Sequence, residues 1–430
     1  MRRAHVVAIA SPTANQAASI CARTVGILPS ALLTSATVFL LFLLFAAPPP
    51  AAAQFRDDFN GPALKLDPDG VDGWGFLAGE GRAVMDFRQG GAGFASITVD
   101  ATRDRRNVWW AFIMHRVSEG MDLALLKNPG YALRIETRVR SSHAPRRINL
   151  QLSTQKTTDF HSHLMEFDIP DTENWHTFSM TTRGFEAAPG DTVNAQMALM
   201  DWGLGQYCLD VDYLRVDIVK VASAGPDKGE PVPYHPPVAD PAGFAHALTA
   251  AQSGTIDLDN PDVNLGNWYL ADAAGKTAVV TSGGTRYVIL RWDFGALAGK
   301  KVVGSGLLEL TTRSLERTSD DIPDFGQIRV VEILGGDPRW DKKTVTFNSL
   351  CGGQTPDLVI CPQMIIDWPV SEGDGAKTYL TIPKPVLQRL IDGKTLGIAI
   401  RPLGAINASF YAVDGEGGES CAPRLLFGLK

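Results

Sequence analysis

The sequence predicts an all-β protein made of two β-sandwiches of the jelly-roll kind, and three observations carry that expectation. Short runs of alternating apolar and polar residues recur along the chain, separated by Gly, Pro, Asn and Asp. Helical periodicity is confined to "PKPVLQRLIDG" (383–393) and "EGMDLALLKN" (119–128). A stretch dense in proline and glycine, "ASAGPDKGEPVPYHPPVADPAG" (222–243), divides the alternating runs into two sets and reads as a stiff linker or an extended wrap. The expected organisation is an export signal over 1–53, a first sandwich over 54–221, a linker over 222–253 and a second sandwich over 254–430.

Composition bounds the function. A chain of 430 residues, 45% hydrophobic and 20% charged, can bury more than one core. A net charge of −7 and a pI near 5.7 argue against a nucleic-acid protein, because phosphate binding needs a net basic face.

The amino-terminal segment reads as targeting sequence. Arg2, Arg3 and Arg23 precede the apolar run "ALLTSATVFLLFLLFAA" (31–47), and Ala51-Ala52-Ala53 before Gln54 gives the small-residue pattern of a signal peptidase site. The expectation is a mature chain starting near Gln54, secreted or periplasmic, with no membrane attachment after cleavage. An uncleaved anchor is the alternative, against which stands the shortness of the run. Four of the five cysteines remain: Cys208, Cys351, Cys361 and Cys421. An even count in an exported chain suggests disulfides, with Cys351–Cys361 the first choice across the short "GGQTPDLVI" loop and Cys208 and Cys421 alternatively free.

The first sandwich opens on "FRDDFNG" and closes on "YCLDVDYLRVDIVKV". First and last strands of a sandwich often lie side by side, so Asp57, Asp58, Asn60, Asp210 and Asp212 are candidates for a structural calcium cage; simple solvation of strand ends is the alternative. Between them, "YALRIETRVR" (131–140) sets Leu133, Ile135 and Val139 on one side and Arg134, Glu136 and Arg138 on the other. "INLQLST" sets Ile148, Leu150 and Leu152 against Asn149, Gln151 and Ser153. The short "SSHAPRR" connection predicts a hairpin, which would merge the two polar faces into one platform. Such a set matches the hydroxyls of a polysaccharide: forked amides and guanidinium groups bond them, and Trp110 and Trp175 are candidates to cover the apolar sugar face. A merely solvated sheet is the plainer reading.

Two resemblances sharpen this. "DDFNG", "ENWHTFSMTT" and "LDVDYLRVDIV" make the first half resemble the galactose-binding-like sandwich of carbohydrate-binding modules, a fold in which such terminal signatures often accompany calcium. The second half carries "DNPDVNLGNWYL" (259–270), "RYVILRWDFGALAG" (286–299), "RWDKKTVTFNS" (339–349) and "SFYAVDGEGGESCAPRLLF" (409–427), and over nearly all of its length it resembles the DNRLRE-type domain, also treated as carbohydrate-binding module family 96. It departs at Phe347, where that family has tryptophan. The resemblance implies a jelly roll and an acidic, uronate-containing glycan, with Arg286, Arg291 and Trp340 as contact or, more simply, framework residues.

Catalysis offers one rival. No GxSxG motif is present, and only Glu136 with Glu166 suggests a glycosidase carboxylate pair. A polysaccharide lyase needs a base and groups that neutralise the uronate; His161 or His163 as base with Arg134, Arg138, Asn149 and Gln151 would supply them. "RIETRVR" and "NLQLS" resemble two strands of jelly-roll alginate lyases, although Ser153 stands where a histidine belongs and the "YFKAG" strand is missing. An extracellular scaffold role is the third class, and it predicts no such platform.

Overall fold

In the computed structural model, described residues are 54–60, 74–78, 84–89, 93–102, 110–200, 205–233, 236–265, 269–272, 275–317, 326–415 and 418–430. The expected signal, 1–53, lies outside them.

The alternating runs of the first half become β1 (Phe55–Asp57), β2 (Trp74–Ala78), β3 (Val84–Gln89), β4 (Ala95–Asp100), β5 (Trp110–Arg116), β6 (Tyr131–Ser141), β7 (Arg146–Thr154), β8 (Leu164–Ile169), β9 (His176–Thr182), β10 (Val193–Met200), β11 (Gln206–Lys220) and β12 (Pro231–Val232). They form two six-stranded sheets. One, the β11 sheet, runs β3-β4-β11-β6-β9 with β1 beside β11; the other, the β7 sheet, runs β12-β8-β7-β10-β5-β2. The inward halves of both meet in one core, where Leu133, Ile135 and Val139 of β6 and Ile148, Leu150 and Leu152 of β7 are fully buried. Burial of each such side chain contributes about 1.5–3 kcal/mol.

The predicted hairpin does not form. β6 pairs with β9 and β11, while β7 pairs with β8 and β10, so "SSHAPRR" crosses from one sheet to the other. The physical reason is the core itself: the apolar sides of the two strands face each other across the sandwich, which drives their polar sides to opposite surfaces. The helical pattern at 119–128 is realised as a short 3₁₀ turn, Leu123–Lys127, capped by the Asp122 side chain.

The second half contains β13 (His246–Thr249), β14 (Gln252–Asp257), β15 (Tyr269–Asp272), β16 (Gly275–Gly283), β17 (Arg286–Arg291), β18 (Val302–Arg317), β19 (Gln327–Ile333), β20 (Ile360–Pro369), β21 (Lys377–Ile382), β22 (Gly397–Leu403), β23 (Ile406–Tyr411) and β24 (Arg424–Leu429). These join in a single 12-stranded sheet. It curls because β18 serves two layers: its first part pairs with β21 and β24, and beyond the shift at Thr312/Ser314 it pairs with β23. Helix α3 (Lys384–Ile391) occupies the helical pattern at 383–393 and buries Val386, Leu387 and Leu390 in the main core. A smaller core holds Ile256, Ile289, Val331, Trp340 and Leu350. There "TVTFNS", part of a segment matched to the resembled family, forms helix α1 (Phe347–Cys351), because Thr346 and Ser349 cap one another's backbone N–H groups at 3.1 and 2.8 Å. Helix α2 (Pro356–Val359) follows.

The proline-rich segment is a wrap. β12 adds to β8, β13 adds to β24, and Arg134 binds the carbonyls of Ala224 and Pro226 at 2.5 and 2.6 Å. Residues Ala52–Lys430 form one compact unit. Its two halves meet where Gln363 of β20 accepts the Arg147 backbone N–H at 2.5 Å.

All four described cysteines are free thiols, which corrects the expected Cys351–Cys361 bridge. The intervening loop is not slack: α2 and the start of β20 shape it, and both sulfurs are buried in packed surroundings. Burial pushes the Cys361 thiol up to about 11.

Candidate functional site

The polar row seen in "INLQLST" builds one surface, the outer face of the β7 sheet. Strand register sets its membership. Leu164, Gln151, Gln196, Met114 and Gly75 stand opposite one another across β8, β7, β10, β5 and β2. Glu166, Asn149, Ala198 and Phe112 make a parallel row, and Ser153, Asn194 and Arg116 make a third. The first row therefore changes from amide to apolar, the second runs from carboxylate through amide to apolar side chains, and the third runs from hydroxyl and amide to the exposed Arg116.

The amides are held. Gln196 Nε2 donates to Ser153 Oγ at 3.3 Å, and Gln151 Nε2 donates to the carbonyl of Phe160 at 2.7 Å. Gln151 and Gln196 are 7% and 6% exposed, so they form a floor rather than a ridge. At the far side of the row, a Cβ added at Gly75 would meet nothing within 4 Å, which leaves open space above β2. At the near side, a cavity of about 600 Å³ is lined by Leu164 and Glu166 of β8, Pro231, Val232 and Pro233, and Asp159 and His161 of the β7–β8 loop. A second cavity, about 670 Å³, lies on the other flank of that loop, lined among others by Asp159, Ser162, His163, Lys127 and Phe185. Both have the size of small-ligand sites.

The structure separates the residues expected to act together. Arg134, Glu136 and Arg138 lie on the outer face of the β11 sheet, away from Asn149 and Gln151, and they are engaged there. Arg134 bonds two wrap carbonyls and Ser179 Oγ. Burial alone would raise the Glu136 carboxyl, but hydrogen bonds from Tyr213 and Lys228 and the Arg215 charge hold it below the usual carboxylate range. Arg138 pairs with Asp212 at 2.9 Å and lies over the Trp175 ring, placing Trp175 on this same sheet. Trp110 opens β5, paired with Met200; its side chain lies outside the described residues.

The histidines flank the amide face without the arginines. His161 is exposed on the β7–β8 loop, 3.4 Å from Asp159. His163 shares a 2.5 Å hydrogen bond between its Nδ1 and Thr182 Oγ1 and packs edge-on against Phe185; burial lowers its pKa. With Arg134 and Arg138 on the opposite surface, the set a uronate lyase requires is not assembled.

β1 does lie beside β11, as expected of first and last strands, yet the acidic residues do not converge. Asp57 accepts from the Phe59 N–H at 2.7 Å and from Trp74 Nε1 at 2.8 Å. Asp58 pairs with Arg56, Asp210 with Arg140 and Asp212 with Arg138. Asn60 is exposed at the end of a described segment. Among the described residues no group of three or more His, Cys, Asp or Glu side chains could hold a metal ion.

In the second half, Trp340 is 3% exposed inside the smaller core, with Arg291 over its ring and bonded to its carbonyl at 3.3 Å. Arg286 reaches the Gly283 carbonyl and Asn407 at 3.4 and 3.5 Å. These are framework contacts. Sequence reasoning missed Gln196, Asn194 and Met114. The signal was present in "VNAQMALM", where Asn194 and Gln196 alternate with the buried Val193, Ala195 and Met197.

No protein-family model matches the chain, and no curated protein matches it. Among solved structures it is similar to one described as "CBM4 structure and function", at 17% identity, over 38% of this chain and 97% of that one, with a TM-score of 0.27. A putative sugar binding protein from Bacteroides thetaiotaomicron shares 12% identity over 38% and 97% of the two chains, with a TM-score of 0.28. A family 11 carbohydrate-binding module from Clostridium thermocellum, in complex with a β-1,3-1,4-mixed-linked tetrasaccharide, shares 15% identity over 37% and 96%, with a TM-score of 0.23. Likeness at these scores carries no functional argument, and the geometry must supply it.

Proposed function

We propose that the protein is an exported polysaccharide-binding protein that holds a glycan chain along the outer face of the β7 sheet. The observation that carries this is the row Gln151–Gln196–Met114–Gly75, which passes from amide floor to apolar surface to open space and continues at Leu164 into a cavity of about 600 Å³. Amides that both donate and accept suit sugar hydroxyls, and an adjoining apolar strip suits the C–H face of the ring.

The same geometry favours a neutral glycan over a uronate polymer. Recognition of repeated carboxylates calls for arginines on the binding face. Arg134 and Arg138 face the other way with their hydrogen bonds engaged, Arg147 is held by Asp168 and Glu166 at 3.0 and 3.3 Å, and the face offers the exposed Arg116 at the end of its third row, where a repeating carboxylate polymer calls for a series of cations. Two substitutions test the reading by calorimetric titration with a neutral β-glucan. Gln196→Ala removes hydroxyl-matching groups and should weaken binding by about 1 kcal/mol, roughly fivefold. Gly75→Phe places a ring in the open space above β2 and should weaken it further. Parental affinity in both would reject this face.

A further inference from the structure

We propose that Phe160 is the stacking platform for one pyranose ring of the bound chain, a specificity-determining contact outside the sheet; this rests on the β7-sheet reading above. Among the described residues, the exposed large hydrophobic side chains are Val84, Phe160, Val238, Val263, Val303 and Leu358, and Phe160 is the aromatic one, 52% exposed. A ring left in water gives up the stabilisation that its burial would bring. A ligand that covers it recovers that stabilisation.

The position of the ring is built, not incidental. Gln151, a member of the amide row, donates from Nε2 to the Phe160 carbonyl at 2.7 Å, so the face itself fixes the loop at this residue. Asp159 Oδ1 accepts the His161 N–H at 2.9 Å, and the Asp159 carbonyl accepts from Ser162 Oγ at 2.8 Å, which closes the turn around it. A turn fixed before binding loses little conformational entropy on binding. Its neighbours divide between the two cavities: His161 lines the one of about 600 Å³ and Ser162 the one of about 670 Å³, with Asp159 shared. Phe160 thus stands on the ridge between them, beside the amide that begins the row.

An aromatic ring at the end of a row of amides selects a sugar by ring shape. A pyranose with equatorial hydroxyls presents an unbroken C–H face to the phenyl ring and turns its hydroxyl edge to hydrogen-bonding groups. β-Linked, glucose-configured neutral chains have that shape. The Gln151 side chain then does two things: it is part of the floor, and it sets the height of the platform.

The test is calorimetric titration of the full mature chain with cellohexaose and with soluble mixed-linkage β-glucan, comparing Phe160→Ala, Phe160→Trp and Gln196→Ala. Phe160→Ala should lose about tenfold in affinity, and Phe160→Trp should bind as well as or better than the parent. The melting temperature of both Phe160 variants should match the parent, because the ring is exposed. Parental affinity in Phe160→Ala alongside weakened Gln196→Ala would overturn the platform and leave the face standing. Weakening in Phe160→Ala that Phe160→Trp fails to restore would also overturn it. Loss of no affinity in any of the three variants would remove the β7-sheet reading and the platform with it.

Discussion

The Asp168 carboxylate accepts a 2.8 Å hydrogen bond from Arg389 Nη2, linking β8 of the first sandwich to α3 of the second across 221 residues of sequence. Arg147 binds the other Asp168 oxygen at 3.0 Å and Glu166 at 3.3 Å, and Glu332 meets Arg389 at 2.6 and 2.9 Å, so two cations and three anions meet in one buried cluster. Gln363 donates to Asp168 at 3.2 Å. The charges compensate one another only as a set. Removing Asp168 takes from both Arg147 and Arg389 a carboxylate they donate to where water cannot reach them, with Glu166 and Glu332 their remaining anions, and loss of one partner from such a site costs about 3–5 kcal/mol. Asp168→Ala should therefore lower the denaturant midpoint by that amount. A loss under about 1 kcal/mol would mean that the junction relaxes and hydrates.

Acid should find this junction. Burial alone would raise the Asp168 carboxyl, but Arg147 and Arg389 outweigh it and hold the group well below its ordinary value of 3.8. As pH falls past 3.8 the unfolded chain takes up a proton while the folded chain does not, so the stability present above that value is lost below it. His163, lowered by burial from 6.5, acts in the same direction earlier, as pH falls through 6.5. Melting temperature recorded from pH 7 to 3 should fall in both ranges, with the lower step flattened in Asp168→Asn and the upper step flattened in His163→Gln. Parallel curves for parent and variants would refute the assignment.

Arg134→Ala should change stability and not glycan affinity. Its guanidinium bonds the carbonyls of Ala224 and Pro226 and the Ser179 hydroxyl, which fixes the wrap against the β11 sheet. Hydrogen bonds from a charged donor contribute about 1.5–3 kcal/mol, so the variant should unfold earlier by about that amount. Unchanged stability with weakened binding would return Arg134 to the binding face.

The fold class was legible because alternation is a local property: Leu133, Ile135 and Val139 announce a buried strand side whatever their partners are. Helix α3 was legible for the same reason. Partner choice is not local. "SSHAPRR" is short enough for a hairpin and also long enough to turn a corner between sheets, and only the shared core decides between them. That decision moved Arg134, Glu136 and Arg138 to the opposite surface from Asn149 and Gln151. At the calcium candidates, proximity of β1 to β11 could be foreseen but the arginine partners of Asp58, Asp210 and Asp212 could not. At Thr346 a capping pair starts a helix in a segment read only through its family resemblance.

Thiol chemistry should show no disulfide. The four cysteines from Cys208 onward are free, with Cys351 and Cys361 buried. Burial raises both thiols, which suppresses the thiolate that reacts. Unreduced, denatured mature protein should take up four equivalents of maleimide, and reductant should leave the melting temperature of the folded protein unchanged. Two equivalents or fewer would establish a bridge.

Salt should separate the neutral from the acidic glycan. The row that carries the proposed contacts, Gln151, Gln196 and Met114, is uncharged, Arg138 and Arg147 are held in ion pairs, and Arg116 stands exposed at the end of a neighbouring row. Contacts made by amides and apolar groups are insensitive to ionic strength, whereas exposed arginine–carboxylate contacts weaken as the screening length shrinks from about 10 Å at 0.1 M to about 3 Å at 1 M. Affinity for a neutral β-glucan should therefore change less than about twofold between these conditions. Retention on alginate or pectin should be weak at low salt and absent at high salt. Tight, salt-sensitive retention on alginate with none on β-glucan would instead place recognition on charged groups and off the amide row.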